Sequence, residues 1–254
     1  MDKTFKGLNA NILKYIAAAA MLIDHIGWAF VQTNTVMGQA MHLIGRFTAP
    51  IMCYFIAEGY YHTKNIEKYL LRLGIFAAIL HYPFVIAELF QGNRIQFING
   101  LIFVKPQFSI TNSSVIFTLF LGLCALTIWK TQKNSVLKII SVIGICIASL
   151  FGDWMFFGVL WVLGFGIFKG DLKKQLIFYY IVAALEIAGI VLPKLLSGAP
   201  VSNVIWQSGL LIAPLFILLY NGKRGSAHPF NKWFFYVFYP LHLLIIGILK
   251  IYIF

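Results

Sequence analysis

Charged side chains are scarce in this 254-residue chain: Asp, Glu, Lys and Arg together make up 11% of it, and only 8 residues are acidic. A soluble core of this size would need far more surface charge, so a water-soluble globular domain is excluded. Cysteine is scarce as well. Cys53, Cys124 and Cys146 lie in apolar segments with neither pairing nor metal-ligand spacing, which leaves them as small buried hydrophobes and excludes a disulfide framework. No Walker loop, GxGxxG fingerprint, zinc spacing or GxSxG elbow occurs. There is also no internal repeat and no low-complexity tract, and without mirrored halves an inverted-repeat transporter has no support.

What fills the chain is apolar: 60% of residues are hydrophobic and the mean hydropathy is +0.84. Apolar runs of about 17–25 residues recur from end to end. The expectation is an all-α, polytopic transmembrane helical bundle forming one integral membrane domain over 1–254. About nine spans are predicted, near 12–32, 42–61, 68–90, 113–130, 136–151, 154–168, 174–192, 203–220 and 233–252. The break at Gly152-Asp153 makes spans five and six a tight hairpin, and counts of eight or ten stay open there. The first run is too long for a cleaved signal peptide, contains Asp24-His25, and lacks a small-residue cleavage site after it.

The net charge of +12 does not point to nucleic acid, because the basic residues segregate by loop. In a nine-span arrangement fifteen of the twenty Lys and Arg fall on one side, from Lys3, Lys6 and Lys14 to Lys223, Arg224 and Lys232. The N-terminus is therefore predicted cytoplasmic and the C-terminus external. The one long loop, near Gln91 to Asn112, falls outside and reads either as a lid or as a connector on the interface.

Several apolar segments carry polar residues: Asp24, His25, Arg46, Glu58, His81, Glu88, Asp153, Glu186 and His242. An acid at mid-bilayer costs roughly 2.5–3.5 kcal/mol on insertion scales, so such groups usually face a polar interior. Counted at ~1.5 Å per residue from the inner ends, His25 and His81 lie roughly 20 Å deep, His242 roughly 15 Å, and Arg46 a little further out. Polar groups from four segments thus share one band, which predicts a common cavity. Asp24 and His25 point about 100° apart, so Asp24 pairs with Arg46 or with a histidine of another helix. His81 and Glu88 share a face but are too far apart along the axis to touch, and Tyr239 and His242 can sit together beside Pro240. Glu58 and His62, four apart at an inner helix end and followed by Lys64, Lys68 and Arg72, read either as a helix end with snorkelling cations or as a mouth for a polyanion.

These same residues resemble the TraX family of membrane proteins. The likeness rests on Leu22-Ile23-Asp24-His25-Ile26-Gly27, on Ile44-Gly45-Arg46-Phe47-Thr48-Ala49-Pro50 with Glu58-Gly59-Tyr60-Tyr61-His62-Thr63-Lys64, and on Tyr69-Leu70-Leu71-Arg72-Leu73 with His81-Tyr82-Pro83-Phe84. Shorter matches are Phe117-Thr118-Leu119 with Leu121-Gly122-Leu123, and Tyr239-Pro240-Leu241-His242-Leu243. His81 departs from the polar Ser-Gln pattern expected before that proline. The family is named for a conjugal transfer protein that acetylates the N-terminus of pilin. The resemblance implies an acetyltransferase in the bacterial cytoplasmic membrane, with acetyl-CoA as cosubstrate, no metal, and an exported or membrane-anchored acceptor. That acceptor is an N-terminal amine of a peptide or, alternatively, a hydroxyl of a cell-surface glycan. His25 is the candidate general base, with Asp24 and Arg46 beside it and His242 and His81 as further candidates. Glu58, His62, Lys64, Lys68 and Arg72 are the candidate coenzyme A mouth. A proton-coupled transporter would need the same buried acids and histidines and remains the competing class.

Overall fold

The computed structural model describes the backbone of residues 7–91, 95–98, 101–104 and 113–253, with side chains outside 80–112, 232 and 251–253. Its helices are α1 (Ala10–Phe30), α2 (Val36–Gly45), α3 (Thr48–His62), α4 (Ile66–Gln91), α5 (Val115–Thr131), α6 (Ser135–Ala148), α7 (Met155–Ile167), α8 (Leu172–Leu196), α9 (Ala213–Leu218) and α10 (Pro229–Ile253). Two 3₁₀ segments, Ser149–Phe151 and Val201–Leu211, complete them. Five segments among the described residues are long and apolar enough to cross a membrane: Ala10–Phe30, Val36–His62, Leu172–Leu196, Val201–Leu218 and Trp233–Lys250. The apolar helices Val115–Thr131, Ser135–Phe151 and Met155–Ile167 are shorter. This is the make-up of a helical membrane protein.

Three local differences from the sequence expectation have physical causes. The second predicted span is two helices, α2 and α3, broken at Arg46-Phe47. Pro50 sits in the first turn of α3, where its missing N–H costs nothing; continued through it, one helix would drive the proline ring into the carbonyl of Arg46. The eighth opens as a long 3₁₀ segment before α9, with Pro214 at the start of the α-helix. Within the predicted long loop, β1 (Ile95–Ile98) pairs antiparallel with β2 (Leu101–Val104), Ile98 opposite Leu101. The intervening sequence is Asn99-Gly100, a dipeptide that favours two-residue hairpin turns. The rest of that loop, together with the His81 and Glu88 side chains, lies outside the described residues.

Contacts between chain ends and turns group at two poles. At one, the backbone of Leu8 and Ala10 donates to Leu219 and Lys223 carbonyls at 2.7 and 2.9 Å, Lys169 meets Glu58, and Lys130 lies over the Tyr61 ring. At the other, Gln39 donates to the Asn203 carbonyl at 3.1 Å and Asp153 N–H to Ser113 at 2.8 Å. α1 and α10 run parallel between these poles, joined by Tyr15 to Asn231 (2.6 Å) near the first and His25 to His242 (2.7 Å) further up.

Glycine lets the central helices approach closely, the usual solution where lipid supplies no hydrophobic drive. A Cβ on Gly166 of α7 would stand 2.3 Å from Leu126 of α5, and one on Gly122 of α5 would stand 2.8 Å from Val162 of α7. Leu123, Leu126, Val159 and Val162 are fully buried at this seam. Gly144 of α6 has nothing within 4 Å of the same construction. Gly166→Val should therefore destabilise by about 1–3 kcal/mol through overpacking. Gly144→Ala should stabilise by about 0.4–1 kcal/mol through helix entropy. Thermal unfolding of the purified protein in detergent checks the pair, and a Gly166→Val protein as stable as the parent would refute the close approach.

Candidate functional site

α1 places two neighbouring residues against two different helices. Asp24 faces α2, where its Oδ1 accepts from His42 Nδ1–H at 2.7 Å. His25 faces α10, with its Nδ1 2.7 Å from His242 Nε2. The divergence follows from the 100° step of the helix. Asp24 fits there because Gly45 has no side chain: a Cβ at 45 would lie 2.3 Å from the Asp24 carboxyl carbon. His42 is fully buried, with Trp28 packed at 4.1 Å and Trp206 at 5.8 Å between ring centroids.

Arg46 caps α2 at the break. Its guanidinium lies between the rings of Trp206 (4.1 Å) and Trp154 (4.5 Å), with Glu186 Oε1 of α8 at 4.0 Å. Trp154 takes a left-handed backbone conformation, φ 67°, uncommon for a bulky residue and held by the corner before α7. That corner is pinned by α5, whose Thr118 hydroxyl donates to the Asp153 carbonyl. Among the described residues no protein group hydrogen-bonds His42 Nε2, Arg46 Nε, Glu186 Oε2 or Gln207 Oε1, all of them buried.

A cavity of about 1060 Å³ adjoins this cluster. On α1 it is lined by Ala10, Lys14, Ala18, Met21, His25 and Trp28, one stripe at helical spacing. At 1.5 Å per residue that stripe is about 27 Å long, the length of a membrane crossing. α3 contributes a matching stripe: Ala49, Met52, Ile56, Gly59 and His62. One end of the cavity carries Lys14, Glu58, His62, Arg72 and Arg224; the other carries Asp24, Arg46, Asp153 and Trp154. His25 lies between them, nearer the second. Glu58 is buried and tied to Lys169, with His62 Nε2 at 3.4 Å.

Over residues 9–250 the chain matches the model of the TraX protein family. The chain belongs to the TraX family. It is 31% identical over 242 residues to the "Probable fimbrial assembly protein FimC, serogroup H1" of Dichelobacter nodosus, an alignment covering 95% of each chain. No solved structure matches it.

In this TraX protein Asp24, His25, Arg46, Glu58, His62 and Arg72 all line one cavity. His242 reaches it through His25. Lys64 and Lys68 are exposed and are not part of its lining, because they follow the end of α3 and face away from the bundle. Of the two partners expected for Asp24, the histidine is the one found: His42 takes it, while Arg46 turns to Glu186 and the two tryptophans. His42 escaped the sequence reading because it stands at the first position of the second predicted span, where a polar side chain reads as a span end; its spacing of three from Gly45, on the same helix face, was the available signal. Lys14 counts in the sequence only as a topology marker. Lys169 was treated likewise, although it is the cation that Glu58 holds.

The Asp24–His42 pair carries its own test. Asp24→Ala leaves a buried imidazole N–H with no acceptor, which should cost about 1–3 kcal/mol. His42→Leu in the same background should recover part of that loss, since both polar partners are then gone. A double-mutant cycle on thermal stability should give a coupling of about 0.5–3 kcal/mol. Strictly additive single effects would show that the two side chains do not interact.

Proposed function

We propose that this protein is an integral membrane acetyltransferase that moves an acetyl group from cytoplasmic acetyl-CoA to an exported or membrane-anchored acceptor. The observation that carries the reading is the continuity of the cavity, which joins a cationic end to His25 along the full length of α1. Family membership and the fimbrial-assembly name of the relative favour a pilin-like N-terminal amine as acceptor over a glycan hydroxyl. The chain crosses the membrane nine times, N-terminus in the cytoplasm and C-terminus outside. The grouping of turns at two poles, the parallel run of α1 and α10, and the fifteen-to-five split of basic residues support this.

In this arrangement the donor's phosphates lie at the inner end, attracted by Lys14, Arg72 and Arg224, while its thioester extends to His25. The acceptor enters from the outer end. His25 removes the proton as the acceptor nitrogen or oxygen attacks the thioester carbonyl, and Arg46, sited on the same cavity wall, stabilises the developing oxyanion. The carbon–sulfur bond then breaks, and the thiolate of coenzyme A takes the proton back from His25. The products are an acetylated acceptor and free coenzyme A.

Incubation of the purified protein with labelled acetyl-CoA and bacterial membrane extract should transfer label to a protein or glycan. His25→Ala should insert normally and lose transfer by roughly 10²–10⁴-fold, the usual worth of a positioned base. Label that never leaves acetyl-CoA, combined with movement of a solute driven by a proton gradient, would replace this reading with a transporter.

The donor end is tested separately. Arg72→Ala with Arg224→Ala should weaken coenzyme A binding by about tenfold or more, with a larger loss at low than at high ionic strength. Lys64→Ala with Lys68→Ala should leave affinity nearly unchanged. Calorimetry decides, and the reverse pattern would move the mouth to the outer face of the α3–α4 turn.

A further inference from the structure

The histidine pair fixes more than proximity. His242 Nδ1 lies 2.7 Å from the backbone carbonyl of Phe238, one turn earlier on α10. A carbonyl only accepts, so the proton must be on His242 Nδ1. In a neutral imidazole the second nitrogen then carries the lone pair. His242 Nε2 is therefore an acceptor, and the group 2.7 Å away, His25 Nδ1, must donate to it. That leaves His25 Nε2 without a proton, on a residue that lines the cavity.

The ring geometry agrees. The two imidazole planes are within 7° of parallel and their centroids are 5.0 Å apart. This separation matches two ring radii added to the 2.7 Å bond, so the rings lie edge to edge in one plane with the N–H aimed along the lone pair. The opposite direction of donation would require His242 to carry protons on both nitrogens. That cation would be 5% exposed and packed at 4.7 Å on the Phe238 ring, an expensive place for a charge.

We propose that His242 is a positioning residue that sets the tautomer of His25, holding its proton on Nδ1 and its lone pair on Nε2. Free histidine prefers the other tautomer, with Nε2 protonated and unable to act as a base. The Phe238 carbonyl is thus the fixed end of a three-member chain, carbonyl to His242 to His25, that primes the reactive nitrogen before any substrate arrives. The tautomer assignment stands on the hydrogen bonds alone; its catalytic consequence rests on the acetyltransferase reading above.

The test is nitrogen-15 NMR of the full-length protein, labelled at histidine and held in detergent at a pH where the pair is neutral. The His25 signals are assigned by their loss in His25→Ala. The wild type should show His25 protonated at Nδ1 and bare at Nε2. His242→Leu should shift His25 to the Nε2-protonated form. In His242→Gln the side-chain amide oxygen can accept from His25 Nδ1–H, so the wild-type tautomer should persist. Acetyl transfer should follow the same order. kcat should fall by roughly 10²–10⁴-fold in His242→Leu with KM little changed, and His242→Gln should stay within about tenfold of wild type. A wild-type His25 protonated at Nε2 overturns the proposal, and so does a His242→Leu protein whose His25 tautomer is unchanged. Should His242→Leu fail to fold, the wild-type and His242→Gln spectra still decide. If the tautomers are as stated but no variant transfers acetyl groups, the functional reading falls and the tautomer assignment survives.

Discussion

The hydrogen bond from His42 to Asp24 is the constraint on which one half of the bundle depends. A carboxylate in an apolar helix must find a partner or lose its charge. Here the partner is a buried imidazole on a second helix, and the approach needs Gly45 beneath the carboxyl group. Once Asp24 is committed to α2, the helix turn sends His25 the other way, toward α10. The same commitment releases Arg46 from Asp24, and the guanidinium settles between Trp154 and Trp206 beside Glu186. A single short polar contact thus orients α1 against two neighbours and leaves Arg46 to Glu186 and the two tryptophans at the head of the cavity.

The cavity follows from the residues that α1 and α3 turn toward it. Ala18 and Ala49 are small and leave space where larger side chains would close the seam. Met21 and Met52 add flexible walls that adapt to a ligand. Around this space the packing is tight, with glycines of α5 and α7 drawing those helices into contact. The protein therefore joins a rigid side, α5 to α7, to an open side formed by α1, α3 and α10. Charge is distributed along the opening: Lys14, Arg72 and Arg224 outnumber Glu58 at one end, while Asp24 and Asp153 stand with Arg46 and Trp154 at the other. The transfer proposed above, from an anionic donor to an acceptor on the opposite side of a bilayer, would use that asymmetry, because neither reactant would then have to cross the apolar core.

Much of this was determined by the sequence alone. Long apolar runs can only be helices in a bilayer, since every backbone N–H and C=O must be satisfied within its own segment. The scarcity of charge, the loop-by-loop segregation of lysine and arginine, and the misplaced polarity of Asp24-His25, Arg46, Glu58 and His242 are local properties, legible residue by residue. The tertiary structure decided the partners. Depth along a helix follows from counting residues, but the direction a side chain faces, and what stands opposite, depends on how neighbouring helices are rotated. So His42 rather than Arg46 receives Asp24, Arg72 and Arg224 rather than Lys64 and Lys68 line one end of the cavity, and His242 meets His25 edge to edge. Pairing across helices is a long-range outcome of packing, and no spacing within one segment encodes it.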